Sequence, residues 1–163
     1  MLQSLFSKIT SDLLVEITQD ELRIFSFSDD AKYIDEPLIA IEVADEKESI
    51  MAIGRASRNC IGPGIRIINP FSHNRSMISS FTYAEKILQF AFKSIQTNAF
   101  KASPRVVMHQ IEKNEGGLTE IEERLLRELA IGAGAREVVV YQGNRIIPEH
   151  ETFENIKARV NAT

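Results

Sequence analysis

Two helix-then-strand pairs in succession constrain this chain more than anything else in it. Ala84, Ile87, Leu88, Ala91, Phe92 and Ile95 step by 3, 1, 3, 1 and 3 residues. That spacing draws one broad apolar stripe along a helix lying on a sheet. The apolar run Arg105–Ile111 (RVVMHQI) follows it. The pattern then repeats: a helix from about Thr119 to Ile131, with Ile121, Leu125, Leu126, Leu129 and Ala130 inward, precedes Glu137–Tyr141 (EVVVY). Runs of this kind read as strands of a parallel sheet, buried on both faces. Thr119 and Glu122 fit a capping box, which satisfies two free amides at the helix start. Gly132 and Gly134 suit its end, where a positive φ is wanted. A last helix is expected near Glu149–Val160, with Phe153, Ile156 and Val160 on one face. Its acids come early and Lys157 and Arg159 late, as the helix dipole favours.

The first half reads as strands. Leu13–Thr18, Leu22–Phe27 and Leu38–Val43 are short and rich in Leu, Ile, Val and Phe, which predicts an antiparallel meander. Asp45–Ser49 is expected to be a solvated loop and Ile50–Ile53 a short strand ending at Gly54. Gly62-Pro63-Gly64 marks a turn. Ile65–Ile68 is another brief strand, and residues 71–80 a polar loop. A meander followed by right-handed crossovers gives a mixed α/β sheet flanked by helices. That order suits the ribonuclease-H-like half of the actin and sugar-kinase fold.

Composition removes several functions. Nineteen Lys and Arg against 23 Asp and Glu give a formal charge of −4, which excludes a strongly basic nucleic-acid binder. The single cysteine, Cys60, excludes an internal disulfide framework and a cysteine-rich zinc site. No apolar run approaches the roughly 20 residues of a membrane span, and the first residues lack the apolar stretch of a signal peptide. A cytoplasmic domain is the expectation. Within residues 1–9, Leu2, Leu5, Phe6 and Ile9 recur at helical spacing. A helix there would carry all four on one face, to be received by the domain core, a protein partner or a membrane surface.

A set of ordered segments resembles a known family. They are Asp35-Glu36-Pro37 with Leu38-Ile39-Ala40-Ile41, then Ala52-Ile53-Gly54 and Tyr83-Ala84-Glu85-Lys86-Ile87-Leu88. Ser103-Pro104-Arg105-Val106-Val107, Ile121-Glu122-Glu123-Arg124 and Gly132-Ala133-Gly134-Ala135-Arg136-Glu137-Val138 complete the set. In order and spacing they resemble the N-terminal portion of MreB, the bacterial actin-like rod-shape-determining family, over roughly residues 1–145. The resemblance implies an N-terminal amphipathic segment (1–10) and one actin-like subdomain (11–163) with a small insertion at about 42–70. The family is an ATPase, but neither ATP nor Mg is expected as a cofactor of this chain. The family's second half, with its second phosphate loop, has no counterpart in this sequence.

The segments that would carry the chemistry depart from the family pattern. Its phosphate loop, D-L-G-T-x-N-T, corresponds to Glu16-Ile17-Thr18-Gln19-Asp20-Glu21, with Thr18 at the glycine position. Asp20 and Glu21 add negative charge where phosphate would sit, and an acidic hairpin turn is the expected structure. The family's catalytic glutamate falls in Tyr141-Gln142-Gly143-Asn144, which holds no carboxylate. Gly143-Asn144 fits a two-residue hairpin turn, whereas the family has a helix there. The stretch Asn69–Ser80 has lost both acids of the family's R-P-M-x-D-G-V-I-A-D segment.

Other candidates reduce to structure. His73 and His109 have no acid at a spacing that makes a catalytic pair. Cys60 has no evident base, and Lys101 and Arg105 near Phe100 are too few to argue for nucleic acid. No catalytic, cofactor or metal residue is nominated. The expected function is a non-catalytic, MreB-like interaction protein of the bacterial cell-shape cytoskeleton, acting as a modulator or scaffold. Its partners would be MreB filaments or a second copy, with peripheral inner-membrane contact through Leu2, Leu5, Phe6 and Ile9, and no nucleic acid. The alternative is a nucleotide-binding or ATPase component that completes its cleft with another chain.

Overall fold

A computed structural model describes residues 11–96 and 102–162. Leu2, Leu5, Phe6 and Ile9 lie outside the described residues, as do Phe100 and Lys101. The first three strands are β1 (Asp12–Ile17), β2 (Leu22–Ser26) and β3 (Lys32–Asp35). With β7 (Arg105–Gln110) and β8 (Glu137–Tyr141) they form one five-stranded sheet, order β3-β2-β1-β7-β8. Pairs β1/β2 and β2/β3 are antiparallel; β1/β7 and β7/β8 are parallel. The mixed α/β architecture expected from the sequence is the one found.

The third strand of the meander is not Leu38–Val43. It is β3, an edge strand whose Lys32 and Ile34 face solvent. A half-exposed edge has no need of a continuous apolar run, so the sequence pattern passes over it. Leu38–Val43 instead leads into β4 (Ile39–Ala44), the centre of a second sheet with β5 (Lys47–Ile53) and β6 (Ile65–Ile68), order β5-β4-β6. Asp45–Ser49 is correspondingly not a loop. Asp45 and Glu46 make the turn between β4 and β5, both at positive φ (50° and 62°). Two left-handed residues match the twist of a hairpin, and Asp is among the residues that adopt that geometry most readily.

Helices α1 (Phe81–Ile95) and α2 (Glu120–Gly132) cover one face of the main sheet, and α3 (Phe153–Asn161) the other. Ser80 caps α1 by accepting the Tyr83 amide. Thr119 and Glu122 form the capping box of α2 in full. Strand alternation divides the core. Leu13, Val15 and Ile17 of β1 join Val106 and Met108 of β7 under Ile87, Leu88, Leu126 and Leu129. Leu14, Val107 and Val139 point the other way, against Phe153 and Ile156. Residues 142–147 form neither a hairpin nor a helix. They leave β8 as an irregular strap that reaches α3 through a short 3-10 turn, Pro148–His150.

At the start of β1 and β7 an ionic clasp fixes α3 to the sheet. Arg105 donates to both carboxylate oxygens of Asp12, at 2.8 and 2.7 Å, and its third nitrogen donates to Glu154 of α3. Its guanidinium stacks 4.5 Å above the Phe153 ring. Because a bidentate, partly buried pair is the strong kind, Arg105→Met is expected to lower unfolding free energy by about 2–3 kcal/mol. Urea denaturation checks this, and a change within error of wild type would reject the clasp.

Candidate functional site

In open α/β sheets ligands bind beyond the carboxyl ends of the parallel strands. Here that edge is formed by the ends of β1, β7 and β8, the β1–β2 turn (18–21), the segment after β7 and the strap 142–147.

The turn is closed upon itself. The Thr18 amide donates to the Glu21 carbonyl at 3.0 Å, and the Glu21 amide donates to Thr18 Oγ1 at 2.9 Å. The Gln19 amide donates to a carboxylate oxygen of Glu112, just past β7, at 2.8 Å. Three of the turn's four amides are therefore committed within the protein. Asn69 Nδ2 donates to the Gln19 carbonyl at 2.7 Å, which pins the loop after β6 against the turn. Lys113, at φ +56°, spends its ammonium on the carbonyls of Phe71 and His73, at 2.8 and 2.7 Å.

Glu16 is the unusual residue of the edge. Its side chain is 2% exposed, although β1 is otherwise apolar from Leu13 to Ile17. A buried carboxylate needs cations or donors around it. Arg145 of the strap supplies them, with Nε 3.1 Å from Oε1 and Nη2 3.1 Å from Oε2. Arg23, opposite Glu16 on β2, lies 3.5 Å from Oε2.

His109 is the cross-strand neighbour of Glu16 on β7. It is buried, its Nε2 lies 3.2 Å from the Gly143 carbonyl, and its ring meets Tyr141 edge-on at 5.0 Å. Its Nδ1 is buried with no partner among the described residues. Burial lowers its pKa below the usual histidine value, more strongly than the Glu16 charge raises it; the Arg145 charge also lowers it.

The stretches Glu16–Glu21 and Tyr141–Asn144 and the start of Asn69–Ser80 thus meet at one edge, with Gln19, Asn69 and Gln142 engaged within the chain. Gln142 accepts the Leu118 amide at 2.8 Å and donates to Glu123 at 2.7 Å, so both ends of its amide hold the start of α2. His73 sits in an exposed loop and accepts the Arg75 amide. Cys60 ends the short 3-10 turn Gly54–Asn59. Gly64, at φ +78°, packs where a Cβ would stand 2.6 Å from the Val43 carbonyl oxygen, so Gly62-Pro63-Gly64 is a turn of structural necessity. Among the described residues, no three His, Cys, Asp or Glu side chains gather closely enough to hold a metal ion, and no helix is long and apolar enough to cross a membrane. Glu112, Arg145 and Arg23 are the site residues that sequence reasoning missed. A glutamate inside LLVEI signals that a cation must come to it, but not from where.

Comparison with known proteins places this geometry in context. The model of the MreB/Mbl protein family matches residues 23–146. Over 148 residues the sequence is 30% identical to the cell shape-determining protein MreB of Escherichia coli (strain K12), covering 87% of this chain and 41% of that protein. It is 35% identical to MreB of Pasteurella multocida (strain Pm70) over 116 residues, 67% of this chain and 31% of the relative. The chain therefore spans about two fifths or less of the length of these relatives. Among solved structures, MreB5 of Spiroplasma citri bound to ADP superposes with a TM-score of 0.64 at 18% identity, over 82% of this chain and 38% of that one. That likeness shows an actin-like fold.

The burial of His109 sets a pH dependence. A histidine whose folded pKa is depressed takes up a proton more readily when unfolded, so acid favours unfolding. Stability is expected to fall as pH drops below about 6.5, the unfolded histidine value, down to the lowered native value. His109 is faced by Glu16, Tyr141 and Arg145, with Arg23 beyond Glu16. His109→Gln should flatten the loss between pH 6.5 and 5 in urea midpoints; a profile identical to wild type would show that other groups set it.

Proposed function

The chain belongs to the MreB/Mbl family, and on that premise we propose that it is a non-catalytic interaction protein of the bacterial cell-shape cytoskeleton. In this role it binds a protein partner, an MreB-type filament, as a modulator or scaffold, and works in the cytoplasm at or near the inner membrane. The observation that carries the proposal is the Glu112 carboxylate on the Gln19 amide.

A polyphosphate is held by free backbone amides and by cations. At this edge, among the described residues, the Thr18, Gln19 and Glu21 amides of the turn are engaged within the chain. The turn also carries Asp20 and Glu21, the latter 3.4 Å from Arg23, and Glu112 brings a further carboxylate to the Gln19 amide, where an added anion would be repelled. Glu16, the acid at the family's metal-organising position, is already neutralised by Arg145 and Arg23. The residues present therefore do not fit a magnesium–nucleotide group. What persists from the family is the scaffold: the main sheet, the helices on its two faces and the second sheet.

Calorimetric titration with Mg-ATP is expected to give no saturable heat at millimolar nucleotide. Co-sedimentation with polymerised MreB is expected to carry the protein into the pellet in proportion to polymer. Saturable nucleotide binding would overturn the non-catalytic reading and favour a cleft completed by another chain. Failure to pellet with polymer, with no heat from nucleotide, would overturn the filament-partner reading alone.

A further inference from the structure

Glu16 and His109 are direct neighbours across β1 and β7, and both are buried. They share strand parity with Leu14 and Val107, so both lie on the face that carries α3. His109 Nε2 is 3.2 Å from the Gly143 carbonyl oxygen, which can only accept. In the neutral ring the hydrogen therefore sits on Nε2, and Nδ1 is the bare nitrogen. That nitrogen is buried with no partner among the described residues. We propose that His109 works an acid-released latch: when Nδ1 takes a proton from solvent, Glu16 exchanges Arg145 for His109, and the Arg145 side chain turns out into water.

The charge balance selects the group that leaves. Arg23 lies 3.5 Å from Glu16 and 3.4 Å from Glu21, and Arg145 lies 3.1 Å from Glu16. Two acids thus meet two cations. A protonated His109 adds a third cation, and a partly buried cluster holds an excess charge poorly. The Arg145 side chain is 54% exposed and stands on the irregular strap, whereas Arg23 is 27% exposed and fixed within β2. Arg145 therefore regains hydration at the smaller structural cost.

The remaining neighbours of His109 are already held. Tyr141 of β8 meets its ring edge-on, and Arg159 of α3 lies over Tyr141 and pairs with Glu151. Glu112, beyond the end of β7, accepts the Gln19 amide. The Gly143 carbonyl keeps its bond to Nε2–H in both states. The exchange moves one side chain and leaves the sheet in place.

Proton and arginine oppose one another: the Arg145 charge disfavours the protonated ring, and the Glu16 charge favours it. Such coupling is reciprocal. At neutral pH the latch is shut. Below about 6.5, the ordinary histidine value, the released form binds a proton that the latched form resists. The ratio of released to latched molecules then rises about tenfold per pH unit, until the latched form itself takes the proton.

Nuclear magnetic resonance of the full chain against pH reads the exchange. The Arg145 Nε–H signal is expected to move to the position of a solvated arginine with the same midpoint as the His109 ring. The Gly143 amide and the methyl groups of Leu14 and Val107 are expected to keep native shifts. In His109→Gln the Arg145 signal is expected to stay in place over the same range. Should that variant fail to fold, Arg145→Gln gives the reciprocal test. Its His109 midpoint is expected to rise by about one pH unit, a tenfold gain in proton affinity. An Arg145 signal that stays put after His109 is protonated would overturn the proposal, as would one that moves in His109→Gln as in wild type. So would an unchanged His109 midpoint in Arg145→Gln, or the simultaneous loss of all native signals, which would make acid a global denaturant of the domain.

Discussion

A carboxylate buried at the edge of an apolar sheet does not stand without a cation, and Glu16 is such a group. Taking it out of water costs several kcal/mol unless the charge is matched. The match comes from two directions: Arg23, its neighbour across β2, and Arg145, 129 residues further along the chain. Arg145 can reach Glu16 only if the strap after β8 turns back over the ends of β7 and β1. The same strap delivers the Gly143 carbonyl to His109 and the Ile146 side chain to the second core. It then hands the chain to α3. One buried charge thus decides the path of residues 142–147 and with it the placement of the last helix.

The face beneath α3 is built to a simple plan. Its centre is apolar, with Leu14, Val107 and Val139 under Phe153 and Ile156. Its two ends are ionic. Where the parallel strands begin, Asp12, Arg105 and Glu154 meet, with Lys157 paired to Glu137 beside them. Where they end, Glu16 meets Arg145 and Arg23. Apolar contact alone is non-directional and would allow a helix of nine residues to slide along the sheet. Charge pairs at fixed positions set its register, and the apolar centre supplies most of the stabilisation.

What the sequence disclosed follows from which forces leave periodic traces. The stripe from Ala84 to Ile95 and the box Thr119–Glu122 are local, and both appear in the structure at the expected positions. The buried strands β7 and β8 were legible because burial on both faces forces an unbroken apolar run. The edge strand β3 was not, since Lys32 and Ile34 answer to solvent. Nor was the Asp45-Glu46 turn, where two ordinary acidic residues adopt a conformation usually signalled by glycine. At the candidate site, the loss of a glycine at Thr18 and of a carboxylate near Gln142 could be read directly. The groups that fill the resulting space could not, because Glu112 and Arg145 reach their partners across long intervals of sequence with no spacing rule.

The scaffold and the polar edge of this chain answer to different physical demands. The two cores lie within the sheet and beneath the helices, and their residues respond to volume and burial. The polar groups at the carboxyl ends of the strands respond only to what faces them. Such an edge must satisfy its amides and charges, since buried polar groups left without partners are costly. Glu112 on Gln19, Asn69 on the Gln19 carbonyl, Gln142 on Leu118 and Arg145 on Glu16 each supply a partner from within the chain. Together they satisfy most of the edge's donors and acceptors, while His109 Nδ1 and Arg23 Nε stay buried with no hydrogen-bond partner among the described residues. Such an edge ties the turn, the strap and the start of α2 to one another through contacts within the chain.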